Sequence, residues 1–365
     1  MNHRNKLVWF LGTAIVLLVL PALSQYAGDF WVRILDFALL YVLLALGLNI
    51  VVGYAGLLDL GYIAFYAVGA YTFGLVASPH LTETFPAIRA LFPNGLHTPI
   101  WLAIPLGALL AGVAGALLGA PTLKLRGDYL AIVTLGFGEI IRVFLNNLDA
   151  PVNITNGPKG ILQIDSFKIP LVGFDFGIPG SLFGIGVSSV TKYYFLFLAV
   201  VVISVLICYR LERSRIGRAW MAIREDEVAA KAMGINTRNM KLLAFGMGAT
   251  FGGVSGVLFS TFQNFISPES FALNESIMVV AMVVLGGIGH IPGVIVGALL
   301  LAALPEVLRY VSGELDLQSV TGGRLDASIL RQLLIALAMI AIMLARPRGL
   351  WPQPEHGKAA PTPAD

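Results

Sequence analysis

The reactive side chains of this 365-residue chain are too scattered for bond-making chemistry. Its five histidines (His3, His80, His97, His290 and His356) show none of the short spacings that metal ligation uses. No nucleophile stands at a telling distance from a base. The single cysteine, Cys208, lies in an apolar run and reads as a small membrane-buried side chain. No G-x-x-x-x-G-K-[ST] phosphate loop occurs, and the NGPKG stretch at 156–160 lacks its spacing. The sequence therefore predicts no catalytic residue, no metal site and no cofactor bound by this chain.

Two kinds of charged group remain, and both suit gripping or lining. The first is an island, RLERSRIGRAWMAIREDEVAAKAMGINTRNMK at 210–241, which holds twelve of the chain's 45 charged residues. Hydrocarbon excludes such a segment, yet Ile216, Trp220 and Ile223 recur at helical spacing, followed by Ala230 and Met233 on a second stretch. Asp226 is placed to cap that second helix, Glu225 and Glu227 favour its N-terminal dipole, and Gly234 suits the position just past its end. Two short helices with a bend near Arg224–Asp226 are expected. A membrane-surface amphipathic helix is the alternative, but four acids (Glu212, Glu225, Asp226 and Glu227) among the bases suit a protein partner better than anionic lipid. The second kind is ionisable or polar groups within apolar runs, where each charge costs about 2.5–3.5 kcal/mol without a partner or cavity. Glu139 and Arg142 are three apart, as are Arg33 and Asp36, so each pair can neutralise itself. Asn49, Asp59, Glu139, Arg142 and Asn146 are candidate pathway-lining residues, with Asn264 and Glu275 as further polar candidates.

These groups must be positioned by membrane helices. The chain is 57% hydrophobic and 12% charged, against a soluble norm of about 25% charged. Apolar runs long enough to cross a hydrocarbon core of about 30 Å recur at 7–24, 32–52, 60–78, 99–119, 129–147, 193–210, 242–262, 274–289, 293–310 and 329–345. The fold class is an all-α polytopic membrane protein, a bundle of about ten transmembrane helices with broken or re-entrant segments at the third, eighth and ninth. Residues 1–350 read as one transmembrane domain and 351–365 as a disordered polar tail. Arg4 and Lys6 before the first run, with Ala22-Leu23-Ser24 after it, loosely resemble a signal sequence, but an uncleaved helix fits the charge distribution better. With the N-terminus inside, fifteen Lys/Arg fall on the cytoplasmic side (among them Lys124, Arg126, Arg346, Arg348 and the eight of the island) against six outside. Both termini and the island then face the cytoplasm, and 148–192 forms an external loop. Gly107, Ala111, Gly115 and Gly119, then Gly248, Gly252, Gly256 and Ser260, then Gly289, Gly293 and Gly297, repeat every fourth residue and predict close helix packing.

The stretch SRIGRAWMAIREDEVAAKAMGINTRNMKLLAF resembles the cytoplasmic coupling loop of permease subunits in bacterial ATP-binding-cassette importers, specifically the LivM type that serves branched-chain amino acids. GLNIVVGYAGLLDLGYIAFYAVGAY at 47–71, LKLRGDYLAIVTLGFGEIIR at 123–142, TNGPKGI at 155–161 and RPRGLWP at 346–352 extend the likeness over most of 31–352. The resemblance implies a homologous second permease of the LivH type, two ATP-binding-cassette subunits that hydrolyse ATP, and an external amino-acid-binding protein; nucleic acid is not among the partners, and the lipid bilayer is the medium. It implies that Arg218, Glu225, Asp226, Glu227, Ala229, Ala230 and Gly234 form or shape the ATPase contact. The wider importer pattern of Glu-Ala-Ala, three residues, then Gly aligns here with Val228-Ala229-Ala230 and Gly234, so the acid is displaced to Glu227. The same architecture for urea or short amides is the alternative substrate reading. An ion-coupled secondary transporter is the alternative class, and it would need a buried relay of carboxylates or histidines.

Overall fold

A backbone in hydrocarbon must satisfy its own hydrogen bonds, and this chain does so almost entirely with helices. The computed structural model describes residues 17–25 and 28–314, apart from 94, 123–124, 126, 170–173 and 183–184, together with 333, 336, 337, 340, 344 and 349–351. Most of the expected spans at 329–345 and 7–24, the bases Arg4, Lys6, Lys124, Arg126, Arg346, Arg348 and Lys358, and the tail beyond 351 lie outside the described residues; 17–25 is helical. Along the rest run α1 (Asp29–Asn49), α2 (Ile63–Val76), the short α3 (His80–Thr84) and α4 (Pro86–Leu91), and α5 (Ile100–Thr122). Then follow α6 (Asp128–Asn147), α7 (Ser189–Glu212), α8 (Arg215–Glu225), α9 (Glu227–Ala232), α10 (Thr237–Gln263), α11 (Leu273–Gly286) and α12 (Ile291–Glu314).

Five stretches among the described residues are long and apolar enough to cross a membrane: Asp29–Tyr54, Ile100–Thr122, Ser189–Glu212, Thr237–Gln263 and Pro268–Gly286. The expected third span is shorter than the sequence suggests. Its helix, α2, has 14 residues, about 21 Å at 1.5 Å per residue, and 55–62 before it is not helical. Gly56 at φ +67° breaks the run there. A half-length helix survives at membrane depth because protein surrounds it: Tyr62, Ile63, Phe65, Ala70 and Phe73 are all buried. The break expected between the eighth and ninth spans is present, with Gly287 and Gly289 at φ +121° and +86°.

Helix α10 is the hub, packed on α1, α2 and α5. The small-residue stripes explain how. Gly107, Ala111, Gly115 and Gly119 face the α10 side at Phe245, Ala249, Gly253 and Val257, while Gly248, Gly252 and Gly256 meet Val51, Phe65 and Tyr66 of the other neighbours. A Cβ on Gly69 would overlap the Gly253 carbonyl. Backbone-to-backbone approach of this kind supplies the van der Waals contact that lipid cannot.

The two ends of α10 mark two faces of the molecule. Near its first turn, the Met240 carbonyl accepts a hydrogen bond from Trp220 of α8 at 2.7 Å. Near its last, the Thr261 hydroxyl donates to the Asp165 carbonyl at 3.1 Å. The 21 residues from Met240 to Thr261 separate these contacts by roughly 32 Å, so the charged loop and the 148–192 segment lie at opposite ends of α10. The latter segment is a platform of two- and three-residue strands in antiparallel pairs, one of which ties Ile161–Leu162 to Phe265–Ile266 just past α10. Beneath it Phe167 packs on Trp101 and Phe176, and Tyr193 on Phe262.

Asp175 organises the platform's second hairpin. Partial desolvation works to raise its pKa, but the Ser166 hydroxyl, the Gly177 N–H, Lys168 and Lys192 outweigh that and hold the carboxyl below the usual carboxylate range. A folded-state value below the unfolded one contributes stability above the ordinary Asp value near 4, and that contribution is lost as pH falls through the lowered value. Amide protection in the platform strands, taken relative to the intrinsic exchange rate, is therefore expected to fall on acidification below about pH 4, and Asp175→Asn should flatten that dependence. An unchanged acid profile in the variant would show that Asp175 is not responsible.

Candidate functional site

The charged island folds as two short helices meeting at Asp226, as its caps predict. Ser214 starts α8, accepting from the Gly217 N–H at 3.1 Å. Asp226 sits in extended backbone between the helices, and its Oδ1 accepts from the N–H groups of Val228 and Ala229 at 2.7 and 3.0 Å. The far end of α9 closes with a pair of bonds, Gly234 N–H to Lys231 O and Ile235 N–H to Ala230 O, both 3.1 Å. That 5→2 and 6→1 pattern needs a left-handed residue, and Gly234 has φ +85°.

One face of the pair is fastened to the permease. Trp220 is fully buried, and Ile223 and Ala230 are buried beside it. Glu227 reaches inward to Lys241 of α10 at 2.7 Å, so its carboxylate is bound to its own chain. The Arg218 guanidinium donates to the Arg213 carbonyl at 2.8 Å, across the bend between α7 and α8. The opposite face is open: Val228 is 68% and Met233 84% exposed, with Ala229 and Glu225 beside them. Met233 therefore does not join Ala230 on the inner face as its spacing suggests. A six-residue helix presents one residue inward, and the left-handed turn at Gly234 begins where Met233 would need to be covered.

From the end of α8, Arg224 reaches into the body. Its Nη1 donates to the Gly53 carbonyl at 2.5 Å, and its stem lies against Gly56. Gly53 belongs to a π-helical segment, Ile50–Tyr54, that extends α1. One turn back along it, Asn49 is buried, and its Oδ1 accepts from the Gly289 N–H at 2.9 Å. Gly289 sits in the break between α11 and α12. The same break is held by the Gly349-Leu350-Trp351 segment, whose Leu350 and Trp351 N–H groups donate to the carbonyls of Leu285 and Gly286. Loop, π-segment, helix break and this late strap thus meet at one junction. Neither Arg224 nor Gly53 stands out in the sequence, since their partnership spans 171 positions; a π-segment at a functional hinge has no composition signal.

The polar candidates inside the membrane do not converge on one another. Arg142 pairs with Glu139 at 3.0 Å and lies 3.7 Å from Glu269, tying α6 to the turn before α11. Asp59 is buried; its Oδ1 accepts from the Gly61 N–H at 2.9 Å and shapes the turn into α2. Asn146 Oδ1 is buried and has no partner among the described residues, and Asn264 ends α10 at φ +55°. The expected Arg33–Asp36 pair does not close as a contact ion pair, although the two charges still act on each other along α1. Arg33 instead donates to Gln263 and lies over the rings of Phe37 and Phe262, and both oxygens of the fully buried Asp36 lack hydrogen-bond partners among the described residues. Spacing allows the pair, but α10 supplies Arg33 with a neutral partner. Glu275 lines two cavities, of about 460 and 220 Å³. Because Glu139 and Arg142 serve as a tie, Glu139→Gln should cost about 1 kcal/mol of stability and leave transport within twofold; a larger loss of transport without lower thermal stability would place the pair in the pathway.

Residues 30–343 match the family described as "Branched-chain amino acid transport system / permease component". The chain is 41% identical over 333 residues to the high-affinity branched-chain amino acid transport system permease protein LivM of Escherichia coli (strain K12), covering 88% of this chain and 70% of that one. It is 28% identical over 336 residues to a probable LivM permease of Methanocaldococcus jannaschii, covering 86% and 91%. It is 27% identical over 327 residues to the LivH permease of Escherichia coli (strain K12), covering 87% and 93%. No solved structure matches the chain.

Proposed function

The chain belongs to the branched-chain amino acid transport permease family, and from that premise we propose that it carries leucine, isoleucine and valine across the membrane as one half of an ATP-driven importer. It is a multi-pass inner-membrane subunit of the LivM type, and its likeness to both LivM and LivH permeases supports pairing with a homologous LivH-type permease. The observation that carries the coupling role is the two-faced loop. Its inner face is locked to the permease by Trp220, Lys241 and Arg224, while Val228, Ala229 and Met233 stand open at the end of the molecule opposite the platform.

ATP-binding-cassette subunits would grip that open face, on the cytoplasmic side, with both termini there. An external amino-acid-binding protein would deliver its cargo at the platform end, across the bilayer. Arg218, Glu225, Asp226, Glu227, Ala229, Ala230 and Gly234 divide the work: Ala229 and Glu225 are open to contact, whereas Asp226, Glu227, Ala230 and Gly234 hold the loop's shape and Arg218 fastens its entry. Arg224 would carry the stroke through Gly53 to Asn49 and the break at Gly287–Gly289. ATP is hydrolysed by the partners, and the chain holds no cofactor of its own. Asn49 then acts at the junction rather than as a pathway-lining residue.

The test is uptake of labelled leucine into vesicles holding this chain with its cognate permease, ATPase and binding protein. ATP- and binding-protein-dependent uptake that fails when 214–235 is scrambled supports the reading. Uptake driven by a proton gradient alone would overturn it, and entry of urea but not leucine would overturn the substrate assignment.

A further inference from the structure

Two connected cavities lie beside α1 at its platform end. The outer, about 460 Å³, is lined by Arg33, Glu275, Glu306, Arg309 and the rings of Phe30 and Tyr41. The inner, about 220 Å³, lies between Leu40, Leu44, Ile63, Tyr66 and Phe259. Phe37, Tyr41 and Glu275 line both, so Glu275 stands at the threshold. The outer volume falls within the ~300–1,000 Å³ of small-molecule sites, where a few placed polar groups orient a ligand against apolar walls. Its location is set by Arg33, which donates to Gln263, the last residue of α10 and two residues before the strand that pairs with the platform.

The charges are arranged unequally. Arg309 is paired with Glu306 at 3.0 Å and lies over Phe30, 4.9 Å from the ring centroid. Arg33 donates to a neutral amide and lies over two aromatic rings, and the Asp36 carboxylate one turn along α1 is within electrostatic reach of it without closing an ion pair. Glu275 accepts from the Tyr41 hydroxyl at 2.6 Å, one of about four hydrogen bonds a carboxylate can accept. A mouth with a cation held on a neutral amide, one carboxylate at the threshold and an apolar chamber of aromatic and aliphatic side chains behind it matches a molecule with both charges at one end and a branched hydrocarbon at the other.

We propose that these cavities form a transit subsite for a free branched-chain α-amino acid, with its ammonium on Glu275, its carboxylate toward Arg33 and its side chain between Leu44 and Ile63. The subsite rests on the importer reading above. Charged groups at membrane depth are costly without such use, and a pass-through site of this kind holds its cargo loosely, leaving capture to the external protein.

The test uses the full complex in proteoliposomes, with binding protein saturated by labelled leucine or valine, following uptake and ATP hydrolysis together. Glu275→Gln is expected to lower leucine uptake at least tenfold while stimulated ATP hydrolysis stays within twofold. Leu44→Phe, which narrows the inner chamber, should raise the valine-to-leucine uptake ratio at least fivefold. A Glu275→Gln variant with wild-type uptake, or an unchanged ratio in Leu44→Phe at normal expression, overturns the subsite. If the unmodified complex moves no leucine under ATP while its ATPase works, the importer reading itself fails and the subsite with it.

Discussion

Gly234→Val is expected to cut ATP-driven leucine uptake at least tenfold while the protein reaches the membrane in normal amount. The reason is local and conformational. Gly234 has φ +85° with nothing within 4 Å of where a Cβ would stand, so a side chain finds room but not a permitted backbone. A left-handed residue costs about 1–2 kcal/mol in an L-amino acid, and β-branching makes such a φ an outlier. Helix α9 has only six residues, too few to persist by propensity alone. It is held at one end by the two Asp226 bonds and at the other by the two that close over Gly234. Losing the second pair frees Ala229 and Met233 from the positions in which a partner would grip them. Each 1.4 kcal/mol is a factor of ten in the population of the formed loop. Gly234→Asn, whose side chain tolerates the left-handed region, should keep a substantial part of the activity. Comparable uptake in the valine variant and the parent would mean that α9 need not be formed for coupling.

That end of the loop is legible in the sequence because its rules are local. Asp226, Gly234 and the spacing of Trp220 and Ile223 act within a turn or two of themselves, and the apolar runs likewise announce helices α5, α7 and α10. Legibility ends where partners are remote. Asn49 stands out as polar within an apolar run, but nothing near it in sequence names Gly289, 240 positions away. The RPRGLWP stretch resembles its family without explaining itself; the two backbone bonds of Leu350 and Trp351 to the broken α11 terminus show what it holds. Arg33 and Asp36 mislead for the same reason. Helical spacing permits an ion pair, while the choice between Asp36 and Gln263 is made by how α1 lies against α10. Glu275 is one polar candidate among several by its position in the chain, and only the closure of α1 and α12 around it makes a cavity there.

Replacing Arg224 by Met should separate ATP hydrolysis from transport. Methionine keeps an unbranched apolar stem to lie against Gly56 and removes only the donor to Gly53. A hydrogen bond from a charged group contributes about 1.5–3 kcal/mol. Here its acceptor is a carbonyl of the π-helical segment, which also sits one turn from the Asn49–Gly289 bond. The loop's open face does not include this contact, so ATPase subunits would still seat and still turn over when loaded binding protein arrives. What is lost is the link by which displacement of α8 reaches the ends of α1 and α11. The expected result is stimulated hydrolysis within twofold of the parent and leucine moved per ATP reduced about tenfold, the equivalent of 1.4 kcal/mol. Arg224→Lys, which keeps a cation and one reachable donor, should fall between them. Asn49→Leu removes the next link and should reproduce the uncoupling. If its effect adds fully to that of Arg224→Met, the two bonds act independently, and no stroke passes from one to the other. If hydrolysis and uptake fall together in Arg224→Met, the residue holds the complex together instead of transmitting its motion.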